Sequence, residues 1–166
     1  MYNTETERGD INIRKLNINE LPLLTQLFDY NDVDAMIEQN KREIEAGTVD
    51  IFVIIEHERI IGELHTAYQS DDERAIVNQR AYLFAFRIHK DHQGQGYGKL
   101  LLQYVINALE EQGCKEFTVG VEDDNDKARH IYETFGFTEL IARKYEEYQG
   151  DGYEYSLYLR RSRKSY

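Results

Sequence analysis

Phe86-Arg-Ile88-His-Lys-Asp-His-Gln93-Gly94-Gln95-Gly96-Tyr-Gly98-Lys99-Leu-Leu-Leu102 decides how this chain is read. An apolar run ends at Ile88, a polar turn carries glycines at alternate positions, and an amphipathic segment starts at once. The first N–H groups of a helix have no partner within the helix and carry a partial positive charge, so they can hold a phosphate. Gly94, Gly96 and Gly98 remove the side chains that would keep a phosphate from the backbone. The stretch therefore predicts a phosphate cradle between a strand and a helix.

Three glycine-rich patterns compete for it. Gly-x-Gly-x-x-Gly fails from Gly94, because Lys99 takes its last place, and from Gly96, because Leu101 does. The P-loop fails because Leu100 follows Gly98-Lys99, which leaves no hydroxyl for magnesium, and Gln93 stands where the earlier glycine belongs. Gln/Arg-x-x-Gly-x-Gly/Ala fits Gln93–Gly98 at every fixed position. Tyr82–Ile88 reads as the strand before the loop and Gly96–Gln112 as the helix after it. About thirty residues on stands Asn125-Asp-Lys-Ala128-Arg-His-Ile-Tyr132-Glu-Thr-Phe-Gly136-Phe137. This order of motifs resembles the GNAT superfamily of N-acetyltransferases, whose coenzyme A loop and second signature, Asn-x-x-Ala-x-x-x-Tyr-x-x-x-Gly-Phe, match these residues. The resemblance covers roughly residues 50–160; the first fifty match only in general layout.

Composition narrows the classes. The length of 166 residues suits one domain with one core. We divide the chain into a loose polar stretch 1–9, a single N-acetyltransferase domain over 10–160, and a basic tail 161–166. No apolar run approaches a membrane span and no signal-peptide pattern opens the chain. The single cysteine, Cys114, forms no internal disulfide, and a cytoplasmic protein is expected. Twenty basic against thirty-one acidic side chains leave a formal charge of −11. That argues against a nucleic-acid surface and favours a small cationic substrate, because an acidic field concentrates cations. His57, His65, His89, His92 and His130 show no structural zinc spacing, so no metal is expected.

The periodicities give a mixed α/β fold. Ile11–Leu16 reads as a strand. Asn19 is placed to cap a helix with Pro22 in its first turn, and Asp32–Ala46 reads as a second helix. Asp50–Glu56 and Arg59–Tyr68 form a hairpin around His57-Glu58; residues 69–80 form a loop. After the strand, glycine loop and helix come a strand at Glu116–Val121, a helix at Asn125–Phe135, and a final hairpin of Phe137–Tyr148 and Tyr153–Arg160. The expected sheet is twisted and mostly antiparallel, with helices on both faces and a right-handed parallel crossover at its centre.

The resemblance implies roles. Acetyl-CoA would be the cosubstrate, its pyrophosphate held by backbone N–H groups from Gln93 to Lys99, with Gln93, Gly94, Gln95, Gly96, Gly98 and Lys99 as the binding set. Lys99 either meets a phosphate or is simply solvated. The central parallel strands would splay, with the pantetheine arm against the backbone of Phe86 and Ile88. Asn125 would bond that arm, cap its own helix, or do both. Tyr132 would sit beside the thioester sulfur as general acid, the alternative being a core tyrosine. A phenol near pKa ~10 protonating a thiolate near ~8.5 is uphill by about 2 kcal/mol in water, so hydrogen bonding to the departing sulfur is favoured over full transfer. No carboxylate stands on Tyr82–Ile88, and Glu63 and Glu122 are the nearest candidates for a base, or plain surface charges. The tyrosines of the last hairpin either face a cation or are strand formers. The acceptor is a primary amine, of a small molecule or of a protein. A non-catalytic coenzyme A-binding module is the rival, and the resemblance leaves a homodimer open.

Overall fold

Alternation of Ile11 and Ile13 with polar neighbours buries one face of β1 (Ile11–Lys15), which pairs antiparallel with β2 (Val49–Glu56). The computed structural model describes residues 10–148 and 150–162, so residues 1–9 and most of the basic tail, 163–166, lie outside the described residues. β2 turns into β3 (Arg59–Ala67) through His57 and Glu58, both at positive φ (49° and 64°), the geometry that matches the twist of a two-residue hairpin. β4 (Arg80–Ile88), β5 (Glu116–Glu122), β6 (Glu139–Tyr148) and β7 (Asp151–Arg161) complete a seven-stranded sheet in the hydrogen-bonded order β1-β2-β3-β4-β5-β7-β6. The helices are α1 (Val33–Glu45), α2 (Tyr97–Glu111) and α3 (Asp126–Thr134). The mixed, mostly antiparallel α/β architecture read from the sequence is the one observed.

Two compact units make up the chain. The first holds β1 to β3 as far as Thr66, the end of β4 from Ala85, and α2 to Leu109. Its core gathers Leu16, Leu21, Leu24, Met36, Ile51, Val53 and Ile60. The segment Ile18–Gln26 differs from expectation: it is a 3-10 helix, and Asn17 rather than Asn19 caps it. The Asn17 side chain accepts from Asn19 N, and Glu20 reaches back to Asn17 N at 2.9 Å. Arg14 grips the same Glu20 through two bonds of 2.7 Å. Pro22 falls within the segment and supplies no N–H, which suits a short tight helix better than a long α-helix.

The second unit holds β4 to Phe84, then β5, α3, β6 and β7. Here β4 and β5 run parallel, and their register stops at Leu83↔Val119 although both strands continue. Just past that point Ala85 has φ +49°, a left-handed conformation for a residue with a Cβ. The ladder of the two central strands is therefore short, as the splayed pair requires. Glu116 and Arg80, paired at 3.0 Å, close its starting end, with Arg161 on the same carboxylate at 2.9 Å.

Candidate active site

β4 delivers the chain into the glycine loop of the first unit. Gly94 and Gly96 both have positive φ (75° and 89°), so the conformation itself demands residues without a Cβ. Gly98 is different: an added Cβ would sit 3.4 Å from Phe86 Cζ and 3.6 Å from Ile88 Cγ1, in ordinary contact. Leu100 N donates to Gly96 O at 3.1 Å, the first turn of α2. The N–H groups of Tyr97, Gly98 and Lys99 precede that bond in the first turn of the helix. Around Gly94 a Cβ would meet nothing within 4 Å, so the loop opens outward there.

Side chains brace this loop in ways the sequence did not disclose. Tyr97, buried, donates its hydroxyl to Glu56 Oε2 at 2.5 Å, and His92 Nε2 lies 3.4 Å from Glu56 Oε1. The end of β2 thus pins the start of α2. Gln93 Nε2 donates to Ile88 O at 3.0 Å, so one of its two amide donors closes the turn. Gln95 is exposed and its amide bonds Asp91 O at 3.4 Å; Lys99 is exposed in the first turn of α2.

A cavity of about 570 Å³ adjoins the loop within the same unit. Residues 25–29 form one wall, and residues 86–90 with Gln93 the other. Phe86, Ile88 and Gln93, three of the expected binding residues, are brought together here. Arg87 also lines the cavity, stacked on Phe28 at 3.9 Å from the ring centroid. Behind Arg87 lies Glu63, fully buried and bonded to the buried His65 at 2.5 Å. Glu63 is thus no surface charge, and it does not reach the cavity wall. Glu122 is exposed at the end of β5.

Tyr132 and Asn125 belong to the second unit. Asn125 caps α3, its side chain accepting from Ala128 N at 3.1 Å. Tyr132 stands in the last turn of α3, its ring edge-on to Phe137 at 5.7 Å, and its carbonyl accepts from Phe135 N and Phe137 N. Burial pushes its phenol up to about 12. Across the same unit, β4, β6 and β7 gather Tyr82, Tyr153, Tyr155 and Glu146. Arg74 lies over the Tyr82 ring, 5.7 Å from its centroid, and 3.4 Å from Glu146. Burial raises Tyr153 to about 12, and Tyr82 and Tyr155 also rise from burial and the negative charge of Glu146. Lys144 holds Asp72 and Glu73, so the 69–80 loop is fastened to β6. Cys114 is an inert thiol: burial raises it, and it donates to Glu116 O at 3.2 Å.

The family model described as "Acetyltransferase (GNAT) family" matches residues 18–137, most of the chain. The chain belongs to the GNAT family. A [Ribosomal protein bS18]-alanine N-acetyltransferase of Escherichia coli strain K12 is 35% identical over 69 residues, covering 42% of this chain and 47% of the relative. The chain thus spans about half the length of the curated relatives it matches. Among solved structures, yncA of Salmonella typhimurium, a putative acetyltransferase with its cofactor acetyl-CoA, shares the fold with a TM-score of 0.70 at 16% identity, over 92% of this chain and 94% of that one. Spermidine/spermine N-acetyltransferase SpeG from Vibrio cholerae gives 0.72 at 20% identity, over 93% and 94%. For this GNAT chain, no helix of the described residues is long and apolar enough to cross a membrane, and no cluster of metal-ligating side chains occurs among them.

Proposed function

We propose that residues 10–160 form one acetyl-CoA-dependent N-acetyltransferase domain that moves an acetyl group directly onto a primary amine. The observation that carries this reading is the glycine loop. Two alternate residues of positive φ, Gly94 and Gly96, lead directly into the N-terminus of α2. A diphosphate fits such a place because N–H groups converge there and no Cβ intrudes. Acetyl-CoA supplies an activated acyl group; the chain's work is to hold, orient and stabilise. Phe86 and Ile88 offer the end of β4 to an amide-bearing arm, as an open strand edge does. Transfer forms one C–N bond and breaks one C–S bond; the attacking nitrogen gives a proton to water and the departing thiolate takes one from water.

Tyr132 is the group we assign to the leaving sulfur. At about 12 its phenol lies some 3.5 units above an ordinary thiol, so full proton transfer is uphill by ~5 kcal/mol. Tyr132 therefore donates a hydrogen bond to the growing thiolate and keeps its proton. The acceptor amine loses its proton to water before it reacts, because Glu63 is sealed behind Arg87 and Glu122 faces solvent. His89 lines the cavity, with its Nδ1 accepting from Asp91 N at 3.2 Å. Cys114 offers no acyl-enzyme route, since burial raises its thiol.

The acceptor is read as a small molecule that the net charge of −11 gathers in cationic form. A protein amine is the second reading, supported by the relative that acts on a ribosomal protein alanine. The test is release of free thiol from acetyl-CoA in the presence of a panel of small amines and N-terminal peptides. Amine-dependent release is expected. Tight coenzyme A binding with no release on any amine would instead support a binding module.

A further inference from the structure

We propose that Arg87 receives a carboxylate of the acceptor, so that the acceptor is a small amine carrying a free carboxyl group, as amino acids do. This rests on the acetyltransferase reading and deepens it.

Arg87 is the cation built into the cavity wall. Three groups fix it. Its guanidinium lies over the Phe28 ring, its Nη1 is 3.3 Å from Tyr30 Oη, and the same nitrogen is 3.7 Å from Glu63 Oε2. Its Nε and Nη2 make no hydrogen bond or ion pair among the described residues. Those two donors form the fork that suits the two oxygens of a carboxylate. The side chain keeps 23% of its surface exposed while lining the cavity, so a ligand can reach it.

The plain alternative is that Arg87 only neutralises buried Glu63. The geometry points away from it. An arginine serving that carboxylate would bond it at about 2.8 Å, commonly through two nitrogens. Here Glu63 Oε2 accepts no hydrogen bond, and the guanidinium stands off at 3.7 Å, drawn onto Phe28. Glu63 takes its bond from His65 instead. The arginine is thus held by a counter-charge from behind while its remaining donors stay available. The rest of the wall does not oppose it: Lys90 lines it with Arg87, against Asp29. A polyamine entering this cavity would bring cations to cations.

The test compares the standard amino acids with their carboxamides, beside putrescine and spermidine, using thiol release from acetyl-CoA. For the best amino acid, kcat/KM is expected to exceed that of its amide by ~10-fold or more, the effect of one charge-assisted pair. Arg87→Lys keeps the charge and loses the fork. It should bring that ratio close to unity while coenzyme A affinity, measured by calorimetry, changes less than about twofold. Binding of the N-acetyl product of that amino acid, against its amide, is measured on the same variant without turnover. Preference for amides or polyamines with normal turnover would overturn the carboxylate site and leave the enzyme intact. Loss of coenzyme A affinity in Arg87→Lys would place Arg87 in the cofactor site and overturn it too. Carboxylate-selective binding with no thiol release would sink the enzyme reading and support the site.

Discussion

Adding one methyl group in turn to Gly94, Gly96 and Gly98 separates backbone demand from ligand demand in the loop. At Gly94 (φ 75°) and Gly96 (φ 89°) an alanine must adopt a left-handed conformation, which costs roughly 1–2 kcal/mol. For a chain of this size each kcal/mol moves Tm by about 2–4 °C, so both variants should lose a few degrees and remain folded. At Gly94 the methyl meets no protein atom within 4 Å, which leaves backbone strain as the whole structural cost. At Gly98 the methyl sits 3.4 Å from Phe86 Cζ, and alanine favours a helix over glycine by up to ~1 kcal/mol. Gly98→Ala should therefore hold or raise Tm. Coenzyme A binding should follow a different order. Losing one or two backbone contacts to a charged phosphate is worth about 1.5–3 kcal/mol each, so Gly96→Ala should weaken Kd by ~10-fold or more. Gly98→Ala, which preserves the Gly/Ala pattern, should bind nearly as wild type. Calorimetric titration with coenzyme A, beside thermal melts, reads both quantities. If Gly94→Ala and Gly96→Ala melted a few degrees low yet bound coenzyme A as tightly as wild type, the phosphate would have to lie elsewhere.

Tyr132→Phe should cut kcat by ~10–100-fold, the loss of a hydrogen bond to a developing charge, with coenzyme A affinity unchanged; an unchanged kcat removes Tyr132 from the chemistry. The same variant has a stability signature. A phenol held at about 12 contributes stability that is complete below its unfolded value near pH ~10 and is lost as pH rises through 12, ~3 kcal/mol in all. Tyr132→Phe should thus unfold less steeply than wild type between those pH values in alkaline melts. If the amine gives its proton to solvent, log kcat/KM should climb about one unit per pH unit up to the acceptor's own pKa (~8 for an α-amine); a plateau starting near neutrality reveals a base. Gly120→Ala drives a methyl to 2.6 Å from Tyr155 Cδ2 on the paired strand and should destabilise the fold by ~1–3 kcal/mol, read as a lower Tm.

Local features were legible because local sequence sets them. The glycine loop, the cap of α3 by Asn125 and the His57-Glu58 turn each depend on a few adjacent residues, and each is found where the pattern put it. The 3-10 segment was misread for an equally local reason: Asn17 and Asn19 both offer caps, and only the reciprocal bond from Glu20 favours Asn17. What escaped was long-range. Glu56 and Tyr97 are 41 residues apart, and nothing near either announces their bond. β3 is buried on both faces over most of its length, so alternation could not show that Glu63 lies inside. Arg87 is a charged residue in the otherwise largely apolar run 82–88, and its meaning comes from Phe28 and Tyr30 on a distant segment. Arg74 lies over Tyr82 of β4, a contact between a loop and a strand that no local pattern announces.

The charge argument shows why scale matters in such readings. The total of −11 is spread over a surface on which exposed charges more than ~8–10 Å apart are screened from one another at ordinary ionic strength. It governs which solutes gather near the protein. Selection inside the cavity depends on the nearest groups, where a unit pair at 4 Å is worth about 4 kcal/mol at an effective dielectric of 20. Arg87 faces that space directly, and its counter-charge Glu63 sits behind it. An acidic chain can therefore draw in ammonium groups and still require a carboxylate on the molecule it accepts. A zwitterion answers both demands, with its amine turned toward the acyl donor and its acid end on the guanidinium, whereas a polyamine satisfies only the first.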